Sequence, residues 1–282
     1  MKKEVIIIAG PTASGKSGFA LDVAEKLNGE IVNADAFQVY KGLKILTARP
    51  LESEMRGIPH HLYGYVDNFT QEDVAGWVQK AADTISTIER PVVVGGTGFY
   101  LSVLMEGMSP IPDIPAEIRE KVRQMPSHEV MTNLTKGEVP RDIQRQRRAL
   151  EVLLATGRPI EYFQKLPKKQ FLEADFKSFV LLPPREELYK RIEARLIQML
   201  QANVVAEVEE LLKSKPSGGV LKAIGVKELI DFIEKKCDLP TALNNILLAT
   251  RHYAKRQTTW FRHQMPEAKI LEAINLNDVI TK

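Results

Sequence analysis

Residues Gly10-Pro11-Thr12-Ala13-Ser14-Gly15-Lys16-Ser17 follow directly on the apolar run Val5-Ile6-Ile7-Ile8-Ala9. A buried strand that feeds a glycine-rich turn and then a helical stretch, Gly18 to Leu27, is the signature of a phosphate-binding P-loop. The glycines allow positive φ and close backbone approach. Successive N–H groups and the helix N-terminus then face anionic oxygens, and Lys16 adds a full charge. Ser17 is placed to hold Mg²⁺. A plain glycine turn between strand and helix is the structural alternative.

With 282 residues, 44% of them hydrophobic, the chain can bury a full core and fits either one large domain or a core plus a smaller lobe. The formal charge is only +3, so affinity for a polyanion must come from local clusters of Lys and Arg. One cysteine, Cys237, excludes an internal disulfide and suits a reducing compartment. The N-terminal apolar run is too short for a signal sequence or a membrane span. The chain therefore reads as soluble, intracellular and cytoplasmic, with no membrane partner.

Four apolar runs, Val5 to Ala9, Glu30 to Asn33, Pro91 to Val94 and Phe179 to Leu182, read as parallel strands. A capping-box-like start at Thr70-Gln71-Glu72-Asp73 predicts a helix to about Glu89, with Ala75, Val78, Ala82 and Ile85 inward. Strands alternating with helices imply an α/β sheet with ligands at the carboxyl ends of its strands. Between about 113 and 175 the pattern turns helical, Pro-punctuated and charged, and Ser127 to Pro140 reads as a loop within that stretch. The expectation is a P-loop NTPase-like parallel sheet flanked by helices, formed by 1–112 and 176–282, with an inserted all-helical lobe at 113–175. After Pro183-Pro184 one long helix is expected to about Lys213, then two more to about Gln264.

The unusual residues cluster at strand ends. The second strand runs out through Asn33-Ala34-Asp35-Ala36-Phe37-Gln38, which puts Asp35 beside the P-loop. A carboxylate there either helps hold Mg²⁺ through water or takes a proton from an attacking nucleophile; a turn-capping Asp is the structural alternative. Gln38 offers the paired donor and acceptor that match the adenine N6/N7 edge. The third strand ends Gly95-Gly96-Thr97-Gly98-Phe99-Tyr100, presenting Thr97 and backbone N–H groups to an anion, or merely a tight turn with Tyr100 in the core. Arg119 opens the lobe, able to reach a leaving diphosphate or to stay solvated.

Arg141 to Arg148 holds four arginines in eight residues, and Asn244 to Gln264 contains Arg251, Lys255, Arg256 and Arg262 without an acidic residue. Basic side chains interleaved with Tyr253, Trp260 and Phe261 suit a phosphate backbone with stacked bases; a solvated basic face over core aromatics is the alternative. His60-His61 lacks a third ligand at metal spacing and reads as structural.

The segments GPTASGKS, NADAFQVY, ILTARP, IPHHL, GGTGFYL, DIQRQRRALEV, KAIGVKEL and YAKRQTTWFR occur in this order across nearly the whole chain. Together they resemble the tRNA dimethylallyltransferases, also called isopentenyltransferases. The resemblance implies transfer of a dimethylallyl group from its diphosphate to N6 of the adenosine just 3′ of the anticodon, position 37, in tRNAs reading codons that begin with U. It implies that Gly10, Pro11, Thr12, Ala13, Ser14, Gly15, Lys16 and Ser17 line the diphosphate site, with Mg²⁺ on Ser17. Asp35 matches the general base and Gln38 a contact to the flipped adenosine, with Ala36 and Phe37 beside them. Thr97, Arg119 and Lys16 match residues that support the diphosphate. Gln144, Arg145, Gln146, Arg147, Arg148, Lys222, Lys227, Lys255, Arg256, Trp260 and Arg262 match tRNA-contact segments. The lobe matches an insertion domain that clasps the anticodon stem-loop, and the enzyme is expected to act as a monomer.

The chain departs from the common pattern at Ala36, where a serine usually follows the aspartate. Lys44-Ile45-Leu46-Thr47-Ala48-Arg49-Pro50 replaces a more frequent Asp-Ile-Gly-Thr-Ala-Lys-Pro, and the segment before Arg141 is short. A P-loop kinase for a small metabolite or nucleoside, with Asp35 as base towards a hydroxyl, is the rival reading.

Overall fold

A computed structural model describes residues 2–280. From the N-terminus the elements are β1 (Lys3–Ala9), α1 (Lys16–Leu27), β2 (Glu30–Asn33), β3 (His60–His61), α2 (Val74–Thr87), β4 (Pro91–Gly95) and α3 (Gly98–Glu106). Four helices follow: α4 (Ala116–Gln124), α5 (Ser127–Asn133), α6 (Ile143–Thr156) and α7 (Ile160–Gln164). The chain continues through β5 (Ala174–Leu181), α8 (Arg185–Gln201), α9 (Val204–Lys213), α10 (Val226–Ile233), α11 (Leu239–Gln264) and β6 (Lys269–Leu271). Two compact units result: one takes the residues up to Met105 and from Phe171 onward, the other Glu106–Gln170.

The first unit is built on an all-parallel sheet ordered β3-β2-β4-β1-β5-β6. Its central strands are apolar on both faces because helices cover both, the condition a parallel sheet requires. Ile6 pairs with Val92 and Ile7 with both Val93 and Ser178. Phe19, Ala20, Val23 and Ala24 of α1 pack on Ile6, Ile8, Ile31, Val92 and Val94. Phe19 is buried there, and truncation to Ala would cost about 3–5 kcal/mol. The sheet thereby holds the carboxyl ends of β1, β2 and β4 side by side, which is the platform for the site.

The structure departs from the sequence expectation in several places. β5 starts at Ala174, not Phe179: its first residues alternate in exposure and gain strand geometry by pairing with Lys3 to Ile7 of β1. β3 and β6 are short edge strands whose pairing, not their composition, creates them. α2 is capped by Asp73, whose carboxylate accepts from Gly76 N at 2.8 Å, and Trp77 and Ala81 are buried in its stripe while Ala75 is not. Ser127–Asn133 is a helix, with Val130 buried against Val122 and Leu150. The expected long helix after Pro184 breaks at Asn203, which adopts φ 64° and separates α8 from α9.

The second unit contains no strand of the sheet; its helices close over Val122, Val130, Leu134, Ala149 and Leu150 in one cluster and Ile114, Val152 and Phe163 in another. Its limits, Glu106–Gln170, begin and end earlier than the expected 113–175. At one end Met108 pairs with Lys169; at the other the chain enters β5 at Ala174. No helix among the described residues is long and apolar enough to cross a membrane.

Candidate active site

The P-loop forms as its residues dictate. Gly15 caps α1 with φ 91° and Ala13 sits at φ 63°, so the backbone alternates in hand and turns its N–H groups into a concave cradle at the helix N-terminus. Ser14 N donates to Pro11 O at 3.2 Å, closing the turn. Lys16 bends back over the loop, with Nζ 3.2 Å from Pro11 O. Enclosure draws its pKa down to about 8; the Asp35 carboxylate partly offsets this, and the Arg195 guanidinium adds to it. Ser17, the second residue of α1, is exposed.

Three residues that sequence reasoning did not single out brace this loop. Arg195 Nη1 donates to Thr12 Oγ1 at 3.0 Å, and Arg191 Nη1, one turn earlier on α8, donates to Ser14 O at 3.0 Å. Gln257, buried on α11, accepts from Thr12 N at 2.9 Å through Oε1 and donates from Nε2 to Gly96 O at 2.8 Å. One amide thus ties both glycine-rich turns together. The only signal in the sequence was the i, i+4 spacing of the two arginines and the position of Gln257 inside the basic tract.

Asp35 emerges from β2 as expected and lies close enough to Lys16 and Arg195 for each to feel its charge. Its Oδ1 accepts from Phe37 N at 2.9 Å and Gln38 N at 3.4 Å. The turn-capping alternative is thus realised at one oxygen, which fixes the loop, while Oδ2 takes no hydrogen bond from the described residues. Thr97 locks the two turns from the other side, its Oγ1 accepting from Ala36 N at 2.9 Å and its N donating to Ala34 O at 3.3 Å. Thr97 also bonds the Tyr253 phenol, whose pKa is raised by burial and by Asp35. Burial and Asp35 likewise hold Tyr63 protonated. Gln38 is placed near Asp35, but its Nε2 is committed to Thr47 O at 2.9 Å and Ala48 O at 3.1 Å.

A cavity of about 90 Å³ opens among these groups. Thr12, Asp35, Arg195 and Tyr253 bring polar groups to its lining, and Leu46, Ile192, Leu196, Met199 and Ile246 apolar ones. A residue of the anion cradle, a carboxylate and an apolar lining around one open cavity suit the transfer of a group from a phosphorylated carrier to a nucleophile that must lose a proton.

The basic tracts are sorted by the structure. On α11, Lys255, Arg256 and Arg262 are exposed, with Arg256 5.8 Å from the centre of the Tyr253 ring. Trp260 is half-buried against Gly98, where a Cβ would stand 2.1 Å from its ring. Phe261 is fully buried, which removes it from any stacking surface, and Arg251 is paired with Glu193 and packed on Tyr189. Lys222 and Lys227 are exposed. On α6 of the second unit, Gln144 is exposed and Arg145 is exposed beside Asp142, while Arg148 pairs with Glu151. Gln146 and Arg147, also expected to contact tRNA, are engaged within the lobe itself. Gln146 is buried with Nε2 on Pro140 O at 2.7 Å, and Arg147 satisfies the end of α4 through Arg123 O (2.9 Å) and Met125 O (3.0 Å). Arg119 is exposed on α4. His60 and His61 bond Ile58 O and Glu30, as a structural role requires. No group of three or more His, Cys, Asp or Glu able to hold a metal occurs among the described residues.

The all-parallel sheet and cradle define a P-loop NTPase-like fold put to group transfer. A family model described as IPP transferase matches residues 38–264, and the chain belongs to that family. A tRNA dimethylallyltransferase of Azorhizobium caulinodans is 43% identical over 95% of this chain and 91% of its own, and one of Zymomonas mobilis 40% over 99% and 94%. Among solved structures, a tRNA isopentenylpyrophosphate transferase of Bacillus halodurans matches with a TM-score of 0.71 at 29% identity, over 96% of this chain and 90% of that one. A eukaryotic dimethylallyltransferase described as acting on tRNA reaches 0.81 at 29% identity, over 98% and 75%.

Proposed function

We propose that this protein transfers a dimethylallyl group from dimethylallyl diphosphate to N6 of the adenosine at position 37 of tRNAs reading codons that begin with U. The observation that carries the reading is the single cavity shared by Thr12 of the P-loop, Asp35 and Arg195. The relatives above are named for transfer to tRNA, which sets the kinase alternative aside.

The adenine amino group is a weak nucleophile because its lone pair is delocalised into the ring, so catalysis must position it, accept its proton and stabilise the departing anion. In this reading the cradle from Gly10 to Ser17 binds the diphosphate, and the apolar side chains lining the cavity shelter the hydrocarbon. The C–N bond forms at the allylic carbon as the C–O bond breaks. Asp35 Oδ2 takes the N6 proton, while Lys16 and Arg195 meet the charge that develops on the diphosphate. Thr97 positions the Asp35 loop. The hydroxyl of Ser17, exposed at the start of α1 beside the cradle, is an oxygen donor of the kind Mg²⁺ takes and would hold that ion. When bound it would neutralise diphosphate charge.

The lobe offers Gln144, Arg145 and Arg148 to the anticodon stem-loop, and the core for its own part offers Lys222, Lys227, Lys255, Arg256, Trp260 and Arg262. In this reading the enzyme works in the cytoplasm, where its tRNA acceptor is at hand, and acts as a monomer. Incubation with dimethylallyl diphosphate, Mg²⁺ and unmodified tRNA should yield N6-prenylated adenosine. Absence of product with every adenosine-containing anticodon loop would reject the proposal.

A further inference from the structure

The segment between Asp35 and β3 carries few regular backbone hydrogen bonds, yet it supplies Leu46 and Thr47 to the cavity wall. Its order has a specific source. Three consecutive backbone amides converge on one carboxylate of α9: Glu207 Oε1 accepts from Lys44 N at 2.6 Å and Ile45 N at 2.7 Å, and Oε2 accepts from Leu46 N at 2.9 Å. Beyond this point the turn closes on itself, Ala48 N donating to Ile45 O and Arg49 N to Lys44 O, both at 2.9 Å. The carbonyls of Thr47 and Ala48 are thereby presented to Gln38 Nε2, three residues from Asp35.

Resting on the reading given under Proposed function, we infer that Glu207 is a positioning residue for the acceptor base: its carboxylate fills a backbone anion nest and sets the 44–48 turn that orients Gln38 and closes the cavity beside Asp35. Charge-assisted bonds from three successive N–H groups are short and directional, so the carboxylate fixes the turn as a unit. Glu207 touches neither substrate, and its effect is on where the purine rests, not on proton removal or on the diphosphate.

The test compares wild type with Glu207→Ala and Glu207→Gln. In Glu207→Ala the KM for an anticodon stem-loop RNA should rise about tenfold, with kcat changed less than about threefold and the KM for dimethylallyl diphosphate unmoved. Glu207→Gln keeps an acceptor oxygen and should return that KM to within about threefold of wild type. Formate, a carboxylate small enough for the emptied nest, should lower the RNA KM of Glu207→Ala and leave wild type unaffected. Hydrogen exchange should show the amides of Lys44, Ile45 and Leu46 losing protection in the variant while those of β1 and β4 keep it. A fall in kcat at unchanged RNA KM, no rescue by Gln or formate, or unchanged exchange at residues 44–46 would overturn the inference. Were wild type itself inactive on RNA, the proposed function would fall separately, and the exchange comparison would still decide whether the nest orders the turn. Were the Ala variant unfolded, Glu207→Gln would decide: its RNA KM should stay within about threefold of wild type with kcat and exchange at residues 44–46 near wild type, and a larger rise or lost protection would refute the role.

Discussion

Lys16 should make donor binding fall with pH in a range where few lysines titrate. Its pKa in the free protein lies near 8, because enclosure disfavours the ammonium, the Asp35 carboxylate offsets this only in part, and the Arg195 guanidinium adds a smaller push in the same direction as enclosure. A diphosphate in the cradle supplies the missing counter-charge, raises that pKa and draws in a proton on binding. The sign follows: affinity is full below about pH 8 and is lost as pH rises through it. With a pKa of about 8, roughly nine-tenths of Lys16 is charged at pH 7 and one-tenth at pH 9. Dimethylallyl diphosphate affinity should therefore weaken about tenfold between those values, close to 1.4 kcal/mol. Calorimetry in two buffers of different ionisation enthalpy reads both the affinity and the proton taken up. Lys16→Arg keeps a permanent charge and should bind with a flat profile, which separates Lys16 from ionisation of the ligand. Asp35→Asn removes the stabilising charge and should move the inflection to lower pH. A flat wild-type profile from pH 7 to 9.5, or the same slope in Lys16→Arg, would refute the reasoning.

Asp35→Asn should lower turnover by about 10²-fold or more with tRNA affinity largely kept, since it removes the proton acceptor and retains the turn; single-turnover rates and filter binding check this, and unchanged turnover would exclude Asp35 as the base. Gln257→Ala leaves Thr12 N–H and Gly96 C=O without their buried partner and should cost about 1–3 kcal/mol of stability together with donor affinity, read by melting and by diphosphate titration. Replacing Arg145 and Arg148 should weaken tRNA binding and flatten its salt dependence by about 0.7–0.9 per lost phosphate contact; equal affinity at two salt concentrations would remove them from the interface. Arg147→Ala should behave oppositely, loosening the lobe by uncapping α4, which thermal melting of the variant would detect as a lowered transition.

The fold was legible where local pattern and tertiary demand agree. Val5 to Ala9, Ile31 with Val32, and Pro91 to Val94 are apolar on both faces, as a strand buried on both faces requires. His60–His61 and Lys269–Leu271 were not legible, because two or three polar or mixed residues become strand only through the neighbour that pairs with them. Helix α5 was missed for a related reason: one buried residue, Val130, leaves no period to read. At the site, Lys16, Asp35 and Thr97 announce themselves because each lies on a strand-end turn. Arg191, Arg195 and Gln257 do not, since each reaches the P-loop from a helix remote in sequence. The basic tracts show the limit of composition most clearly. Arg145 and Arg147 are two residues apart and chemically identical, yet one is solvated beside Asp142 and the other terminates a helix.

The antiparallel bridge between Met108 and Lys169 brings the lobe's entry and exit together within that unit itself. A tether of some sixty residues whose ends are already joined behaves as a short staple, because closure entropy grows with the logarithm of the free length. If the lobe condenses first, β1, β4 and β5 meet almost as if they were consecutive in the chain. Lengthening or rewriting the tip of the lobe should then leave the refolding rate of the sheet nearly unchanged, whereas opening that one bridge should slow it.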